Sequence, residues 1–227
     1  MHYTFDFSPL LDYWPDFLAG AWTTLALSLS ATVFGFVLGV ACALAKTGRS
    51  AGLSRVVGGY VELIRNTPLL VQIFIVYFGL SSLGLHIAAF TAATIALVVN
   101  VGAYTSEIVR AGIESIPPGQ LEAAECMALT RWQTLLHVVL PPAIERVYPA
   151  LTGQYVLLML ASSICSQISA EELTAVANRI QSDTFRSVET YLVLAGAYLL
   201  MSLVMRGIFG LLALLAFPRR RRLGTPL

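Results

Sequence analysis

Long uncharged, apolar stretches alternate with short polar ones along this chain, and their lengths predict membrane-spanning helices. The longest runs over residues 66–106, 41 positions without a charged side chain. A helix needs about 20 apolar residues to cross the hydrocarbon core of a bilayer, so this stretch is long enough for two spans. A polar break at Gly79–His86 divides it. The predicted spans cover residues 17–45, 66–82, 88–109, 147–170 and 190–217. We therefore predict an all-α integral membrane protein with five transmembrane helices, forming one domain over residues 1–227.

The composition agrees with this class and argues against several others. The chain is 57% hydrophobic and only 12% charged, whereas soluble domains carry about 25% charged residues. A net charge of +1 gives no indication of a nucleic acid partner. The sequence holds no Gly-x-x-x-x-Gly-Lys-Ser/Thr phosphate loop, no His-Glu-x-x-His and no Gly-x-Ser-x-Gly. We therefore predict no catalytic residue, no metal site and no cofactor of its own, which makes a membrane enzyme a weak alternative.

The distribution of basic residues predicts how the chain is oriented in the membrane. Only acidic side chains precede the first span, whereas eleven of the fourteen Lys and Arg residues fall in the segments that the five spans place on one side. Arg179 and Arg186 fall on the other side, and Arg206 lies within the last span. Basic residues concentrate on the cytoplasmic side of a membrane. The N-terminus is therefore predicted to lie outside, and the C-terminus, with Arg219–Arg222, in the cytoplasm.

The segment over residues 118–142 is polar and amphipathic, although it lies between two apolar spans. Proline is tolerated at the start of a helix and interrupts its interior, so Pro117 and Pro118 predict a helix start and Pro141 and Pro142 a helix end. The apolar positions recur at helical spacing and are Leu121, Ala124, Ala128, Trp132, Leu135, Leu136 and Val139. A short helix outside the bilayer with one apolar side is expected to dock on a partner.

The same segment resembles the EAA loop of permease subunits in bacterial ATP-binding-cassette (ABC) importers. Glu122-Ala123-Ala124, Val138 and Leu140-Pro141 stand at the spacing of that loop, and Ala128 stands where the family pattern has a Gly. In the family this loop is the coupling helix, which sits in a groove of the ATPase subunit. The resemblance implies that the coupling residues are Gly119, Glu122, Ala123, Ala124, Ala128, Leu140 and Pro141. The alternative is an ordinary cytoplasmic amphipathic helix between two spans.

Two further stretches narrow the resemblance to permeases for polar amino acids. Glu62–Gln72 is similar to the entry of their second span, and Ala103–Ile113 to their third span. The resemblance implies a type I ABC importer permease of the bacterial inner membrane that moves a polar amino acid, or an analogue such as an opine, by alternating access. The implied partners are ATPase subunits that bind ATP and Mg, a second permease subunit in a homo- or heterodimer, and a periplasmic or lipid-anchored substrate-binding protein. A permease for another small polar solute and a non-transporting membrane scaffold for an ATPase are the alternatives.

Polar side chains inside the predicted spans are candidates for the substrate pathway, because polar groups are costly in lipid and should face protein or water. The candidates are Asn100, Glu107, Gln154, Ser162, Ser163, Ser166 and Gln167. Ser163, Ser166 and Gln167 recur at steps of three and four, which predicts a shared helix face; helix–helix packing through serine is the alternative. The related permeases often have Lys-Asp-Thr-Ser where this chain has Leu160-Ala161-Ser162-Ser163, so both charges are absent.

Five charged residues are predicted to form ion pairs. Glu62 and Arg65, and likewise Glu107 and Arg110, are three residues apart and can meet on one helix face. For Glu107 such a pair is the alternative to a transport role. Arg206 lies 12 residues before Pro218, about 18 Å along a helix, and is expected to be a paired structural charge.

Overall fold

The computed structural model describes residues 4–48 and 50–217, and these residues form helices without a β-strand. A 3₁₀ turn at Ser8–Tyr13 precedes the first long helix. The helices are α1 Trp14–Thr47, α2 Ala51–Arg65, α3 Leu69–Ser82, α4 Ala89–Glu114, α5 Pro118–Cys126, α6 Arg131–Ile168, α7 Leu173–Thr184 and α8 Ser187–Ala216. The all-α prediction is confirmed for this part of the chain, whereas Arg219–Arg222 lie outside the described residues.

Four of these helices, α1, α4, α6 and α8, are each long and apolar enough to cross a membrane. The region of the predicted second span differs. There α2 and α3 meet at an angle of 109° across a short break, and α3 alone is about 21 Å long, shorter than a hydrocarbon core of about 30 Å. Counting the bent pair as one span gives up to five spans.

The bend between α2 and α3 is built by proline and glutamine. Pro68 adopts an extended conformation directly before α3, a position at which the missing proline N–H costs no helical hydrogen bond. The Gln72 amide then donates to the carbonyl oxygens of Ile64 at 2.8 Å and Thr67 at 3.0 Å. These bonds satisfy backbone groups that the interrupted helix leaves without partners.

The tightest helix contact joins α1 to α4 and depends on glycine. A Cβ placed on Gly35 would lie 2.2 Å from Val101 Cγ1, and one on Gly39 would lie 2.5 Å from Thr105 Cβ. Small residues four apart let two membrane helices approach backbone to backbone. Across the interface Gly102 is equally crowded, with Leu38 Cδ2 2.8 Å from its Cβ position.

The four long apolar helices differ in how much of their surface is buried, and α4 is the most buried of them. In its most apolar window 56% of α4 is buried, compared with 6% for α8. The main core brings together α1, α3, α4 and α6 through Leu27, Ala31, Ile73, Ala92, Ala93, Ala96, Leu97, Val101, Leu151 and Leu158. Helix α8 therefore lies at the edge of the bundle, with most of its apolar surface uncovered by the other described residues.

The two ends of the bundle carry different chemistry, and we name them the Lys46 end and the Asp16 end after the charges that bound α1. At the Asp16 end, α7 packs on α1 beside Gly20, where Leu173 Cα is 3.0 Å from the glycine Cβ position. Glu172 caps α7 by accepting from the backbone N–H groups of Thr174 and Ala175 at 3.0 and 2.9 Å. Helix α5, which carries Glu122-Ala123-Ala124, lies at the opposite, Lys46 end, directly after α4.

Candidate functional site

Helix α5, at the start of the amphipathic segment 118–142, is short and is followed by a tight turn. Helix α5 begins after Pro117, consistent with the proline signal, and ends where Ala128 turns into the left-handed region at φ 53°. The Leu129 N–H donates to the Ala124 carbonyl at 3.1 Å, and the Ala128 N–H to the Glu125 carbonyl at 2.9 Å. This reversed turn is where the related permeases have glycine, the residue that tolerates positive φ best.

The predicted helix end at Pro141 and Pro142 is wrong. Helix α6 begins at Arg131, passes through a π-helical stretch at Thr134–Val139, and continues through both prolines to Ala161. Prolines fit there because they occupy the first turn after the π-helical stretch, where the regular hydrogen-bond ladder is already interrupted. The apolar positions of residues 118–142 therefore do not share one helical face.

The side chains of α5 are divided between an inner and an outer side. Ala124 is fully buried, whereas Gly119, Glu122 and Ala123 are exposed, and a Cβ on Gly119 would meet nothing within 4 Å. Pro141 is exposed and Leu140 is half-buried. The same surface also exposes Met127 and Trp132, at 64% and 72%. A short helix with exposed small and apolar residues offers a surface on which another protein can pack.

A small apolar cluster and two polar contacts hold this segment on the bundle. Ile116, Val139 and Ala143 are buried together. Thr130 and Gln133 form a capping box at the start of α6, with the Thr130 N–H donating to Gln133 Oε1 at 2.8 Å. Arg146 donates to the Ser115 carbonyl and, at 2.9 Å, to its hydroxyl. The exposed surface of α5 is thus fixed relative to α4 and α6.

Glu107 lies at the centre of an ion-pair network at the Lys46 end. Its carboxylate is 2.5 Å from Lys46 Nζ, 2.8 Å from Arg110 Nη2 and 3.8 Å from Arg65 Nη1, with 17% of the side chain exposed. The Glu107–Arg110 pair is confirmed. Arg65 pairs with Glu107 rather than with Glu62, because the Glu62 carboxylate accepts from Asn66 Nδ2. The network joins α1, α2 and α4, which favours the structural alternative for Glu107.

Asn100 is buried and links α4 to α3. Its Nδ2 donates to Gln72 Oε1 at 2.9 Å, and Gln72 itself serves the bend between α2 and α3. Asn100 is therefore part of the polar support of the bend, and the structure does not bring it into contact with the other pathway candidates.

The serine-rich end of α6 is a 3₁₀ helix over Ser162–Ile168. With three residues per turn, Ser163 and Ser166 share a partly exposed side, and Ser162 lies on the buried side. Each serine hydroxyl donates to a carbonyl three residues earlier, at 2.7 to 2.8 Å. Gln154, in the α-helical part of α6, is half-buried, and Gln167, in the 3₁₀ part, is exposed. The predicted shared face holds for Ser163 and Ser166.

Three buried hydroxyl groups escaped the sequence-based search. Thr105, Ser106 and Tyr155 are each at most 6% exposed, and their side-chain oxygens have no hydrogen-bond partner among the described residues. A buried hydroxyl without a partner is costly and commonly meets water or a ligand. Thr105 and Ser106 belong to the stretch before Glu107 that resembles the third span of polar amino acid permeases. That resemblance was the sequence signal that could have identified them.

The expected pairing of Arg206 is not found. In residues 4–48 and 50–217 no carboxylate forms an ion pair with its guanidinium, and the side chain is exposed on α8. The expectation failed because α8 is peripheral, so that few side chains of this chain surround Arg206.

Comparison with known proteins places these features in a family. Residues 35–215 match the model of the binding-protein-dependent transport system inner membrane component. The chain is 35% identical over 209 residues to the nopaline transport system permease protein NocM of Agrobacterium fabrum, covering 88% of this chain and 87% of that protein. It is 37% identical over 196 residues to the probable glutamine ABC transporter permease protein GlnM of Bacillus subtilis, covering 86% and 91%.

A solved structure agrees along almost the whole chain. A chain in the crystal structure of an amino acid ABC transporter with histidines superposes with a TM-score of 0.87 at 38% identity, covering 93% of this chain and 99% of that one. The family match spans most of the sequence, and the similarity extends through α5 and the Glu107 network. This chain belongs to the family of binding-protein-dependent transport system inner membrane components.

Proposed function

We propose that the chain is a permease subunit of an ABC importer that carries a polar amino acid or an opine across the bacterial inner membrane. The observation that carries the proposal is the 38% identity, over nearly the full length, to the solved amino acid ABC transporter. The similarity to permeases of glutamine and nopaline systems supports the same substrate class.

In this proposal α5 docks on an ATPase subunit and transmits its movement. The exposed Gly119, Glu122 and Ala123 contact the ATPase, while the buried Ala124 anchors α5 to the bundle. Ala128, Leu140 and Pro141 set the turn and the entry to α6. The partner ATPases bind ATP and Mg, and the Lys46 end faces the cytoplasm, with the N-terminus outside.

The solute path requires a second permease subunit. The uncovered apolar surface of α8 supports an assembly larger than this chain. ATP binding would close the ATPases and swing the spans from inward-open to outward-open, as in alternating access. A periplasmic or lipid-anchored binding protein would deliver the substrate at the Asp16 end. Along this path we place Ser163, Ser166, Gln167 and Gln154, the partly exposed polar residues of α6.

The test is substrate-stimulated ATPase activity in proteoliposomes. The chain is co-expressed with its ATPase, paired permease and binding protein, and polar amino acids and opines are screened. We expect one of them to stimulate ATP hydrolysis, and Glu122→Lys to abolish the stimulation by placing a cation at the docking surface. Glu62→Lys makes the same charge change at an exposed site of α2, outside α5 and away from the Asp16 end, and should leave stimulation intact.

Other outcomes would revise the proposal in defined ways. If the complex purifies but no amino acid or opine stimulates it, the substrate class is wrong. If Glu122→Lys retains full stimulation, α5 does not couple through this residue. If no ATPase copurifies, the importer function itself is wrong.

A further inference from the structure

A groove between α6 and α8 contains the side chain of Arg206, a cation with which no carboxylate of the described residues forms an ion pair. The cavity has a volume of about 220 Å³, and Arg206 is the one charged side chain among the described residues that line it. Tyr148 and Thr152 also line the groove, but their hydroxyls are already used as donors, to the carbonyls of Phe209 at 2.6 Å and Pro149 at 3.0 Å. The guanidinium is thus the donor that remains for a bound group.

Helix register places the groove at the level of the Glu107 network. Val147 of α6 packs directly on Gly112 of α4, with Cγ1 2.1 Å from the glycine Cβ position. The two helices run in opposite directions, so Thr152 and Glu107 each lie five residues, about 7.5 Å, from this contact toward the Asp16 end. The uncharged stretches of α1 and α4 end at this level. The groove therefore lies where the hydrocarbon core gives way to lipid headgroups.

The walls of the groove are apolar and are opened by two glycines. Val156 and Phe209 line it beside Gly153 of α6 and Gly210 of α8. A Cβ on either glycine would meet no atom within 4 Å. The groove is therefore free space between two helices rather than a gap that a neighbouring side chain fills.

We propose that this groove binds an anionic phospholipid of the leaflet at the Lys46 end. The lipid phosphate pairs with Arg206, and the acyl chains lie along Val156 and Phe209 within the groove. Basic pockets between membrane helices favour anionic headgroups, and Arg206 lies at the level where its guanidinium can reach a lipid phosphate. The lipid site does not depend on the proposed function, but the assignment of this leaflet to the cytoplasmic side does.

The experiment measures lipid retention by the assembled protein. The full chain with its partner subunits is transferred into nanodiscs of equal phosphatidylglycerol and phosphatidylcholine, and bound lipids are counted by native mass spectrometry after mild release. We expect preferential retention of phosphatidylglycerol and roughly tenfold weaker retention in Arg206→Gln, the loss expected when a hydrogen-bonded charge is removed. Excess inorganic phosphate should not displace the lipid, because the acyl chains also contribute to binding.

A matched pair of glycine variants separates the groove from the general surface of α8. Gly210→Leu adds a side chain in the groove at a position where a Cβ would meet no atom within 4 Å, and should lower phosphatidylglycerol retention while Arg206 is still present. Gly207→Leu adds the same side chain at an exposed position of α8 that does not line the groove and should retain lipid like the unmodified chain.

Three results would overturn the proposal. Equal retention of the two lipids by all variants would show that the groove does not select a phosphate. Displacement of the lipid by inorganic phosphate alone would assign the site to a free anion. A loss of subunit pairing in Arg206→Gln with unchanged lipid retention would assign the groove to the second subunit. Glu122→Lys leaves the groove intact. A negative result with this variant in the ATPase assay would therefore contradict the proposed function without changing lipid retention.

Discussion

At the scale of single residues, Ala128 adopts a backbone conformation that favours glycine over alanine. Its left-handed backbone costs a residue with a Cβ about 1 kcal/mol more than glycine, and glycine gains unfolded-state entropy that offsets part of this. We expect Ala128→Gly to stabilise the turn after α5 and to slow hydrogen exchange of the Met127–Leu129 amides by up to about fivefold. Ala123→Gly, inside α5, should instead speed exchange because glycine weakens a helix interior. Faster exchange in Ala128→Gly would mean that the turn carries no strain.

Glu107 makes a second prediction at this scale. One carboxylate balances Lys46, Arg110 and, at longer range, Arg65. Glu107→Gln keeps the volume but leaves three cations close together, and we expect a loss of about 1.5–3 kcal/mol in the free energy of unfolding. Thermal unfolding in detergent would measure it. Glu114→Gln, whose side chain is 55% exposed in its pair with Arg110, should change stability by less than about 1 kcal/mol. Equal effects of the two substitutions would contradict a central role for Glu107.

At the scale of helices, the close contact of α1 with α4 depends on glycines, which have no side chain to keep the two backbones apart. A Cβ on Gly39 would lie 2.9 Å from the Gly102 carbonyl oxygen, a backbone atom that cannot rotate away. Gly39→Ala should therefore push the helices apart and cost about 1–3 kcal/mol, seen as a lower unfolding temperature. Gly58→Ala in α2, where a Cβ meets nothing, should leave the temperature unchanged or raise it, because alanine favours helix. A stable Gly39→Ala protein would indicate a looser interface than the one described.

The helices also mark the limit of what the sequence could predict. Hydropathy located α1, α4, α6 and α8, because the length of an uncharged stretch measures a membrane span directly. It could not predict the 109° bend before α3, which depends on Gln72 reaching carbonyls across a break. The prediction that a helix ends at Pro141 and Pro142 was wrong for a related reason. The π-helical stretch that accommodates these prolines has no recognisable local sequence pattern. Placing Glu107 required knowing that α1 and α2 bring Lys46 and Arg65 to it.

At the scale of the whole molecule, the two ends of the bundle differ in how their carboxyl groups are placed. At the Lys46 end, ion pairs of Glu107 join α1 and α2 to α4, whereas at the Asp16 end an exposed ion pair of Asp16 with Arg179 joins α1 to α7. The Asp16 end uses Glu172, which is fully buried, caps α7 and accepts from the Tyr198 hydroxyl of α8 at 2.7 Å. Beside it, the Thr24 hydroxyl of α1 accepts from the Leu173 N–H at 3.1 Å. One carboxyl group thus lies where α1, α7 and α8 converge, so its protonation affects the assembly of all three helices.

This arrangement predicts how stability depends on pH. Burial raises the pKa of Glu172 above its ordinary value of 4.5, although its hydrogen bonds act in the opposite direction. Because the folded-state pKa is raised, the contribution of this group is fully present below the unfolded pKa and is lost as the pH rises through the folded pKa. Unfolding temperatures measured between pH 4.5 and pH 8 should therefore fall more steeply for the unmodified chain than for Glu172→Gln, which stays neutral.

The slope, rather than the absolute stability, is the quantity to compare. Glutamine has one acceptor oxygen where the carboxyl group has two, so it cannot accept all three bonds from Thr174, Ala175 and Tyr198. Glu172→Gln is therefore destabilised at every pH, independently of titration. Glu171→Gln removes the neighbouring exposed carboxyl group and should keep the slope of the unmodified chain. If Glu172→Gln keeps that slope as well, the titrating group lies elsewhere, and the convergence of α1, α7 and α8 does not depend on the protonation of Glu172.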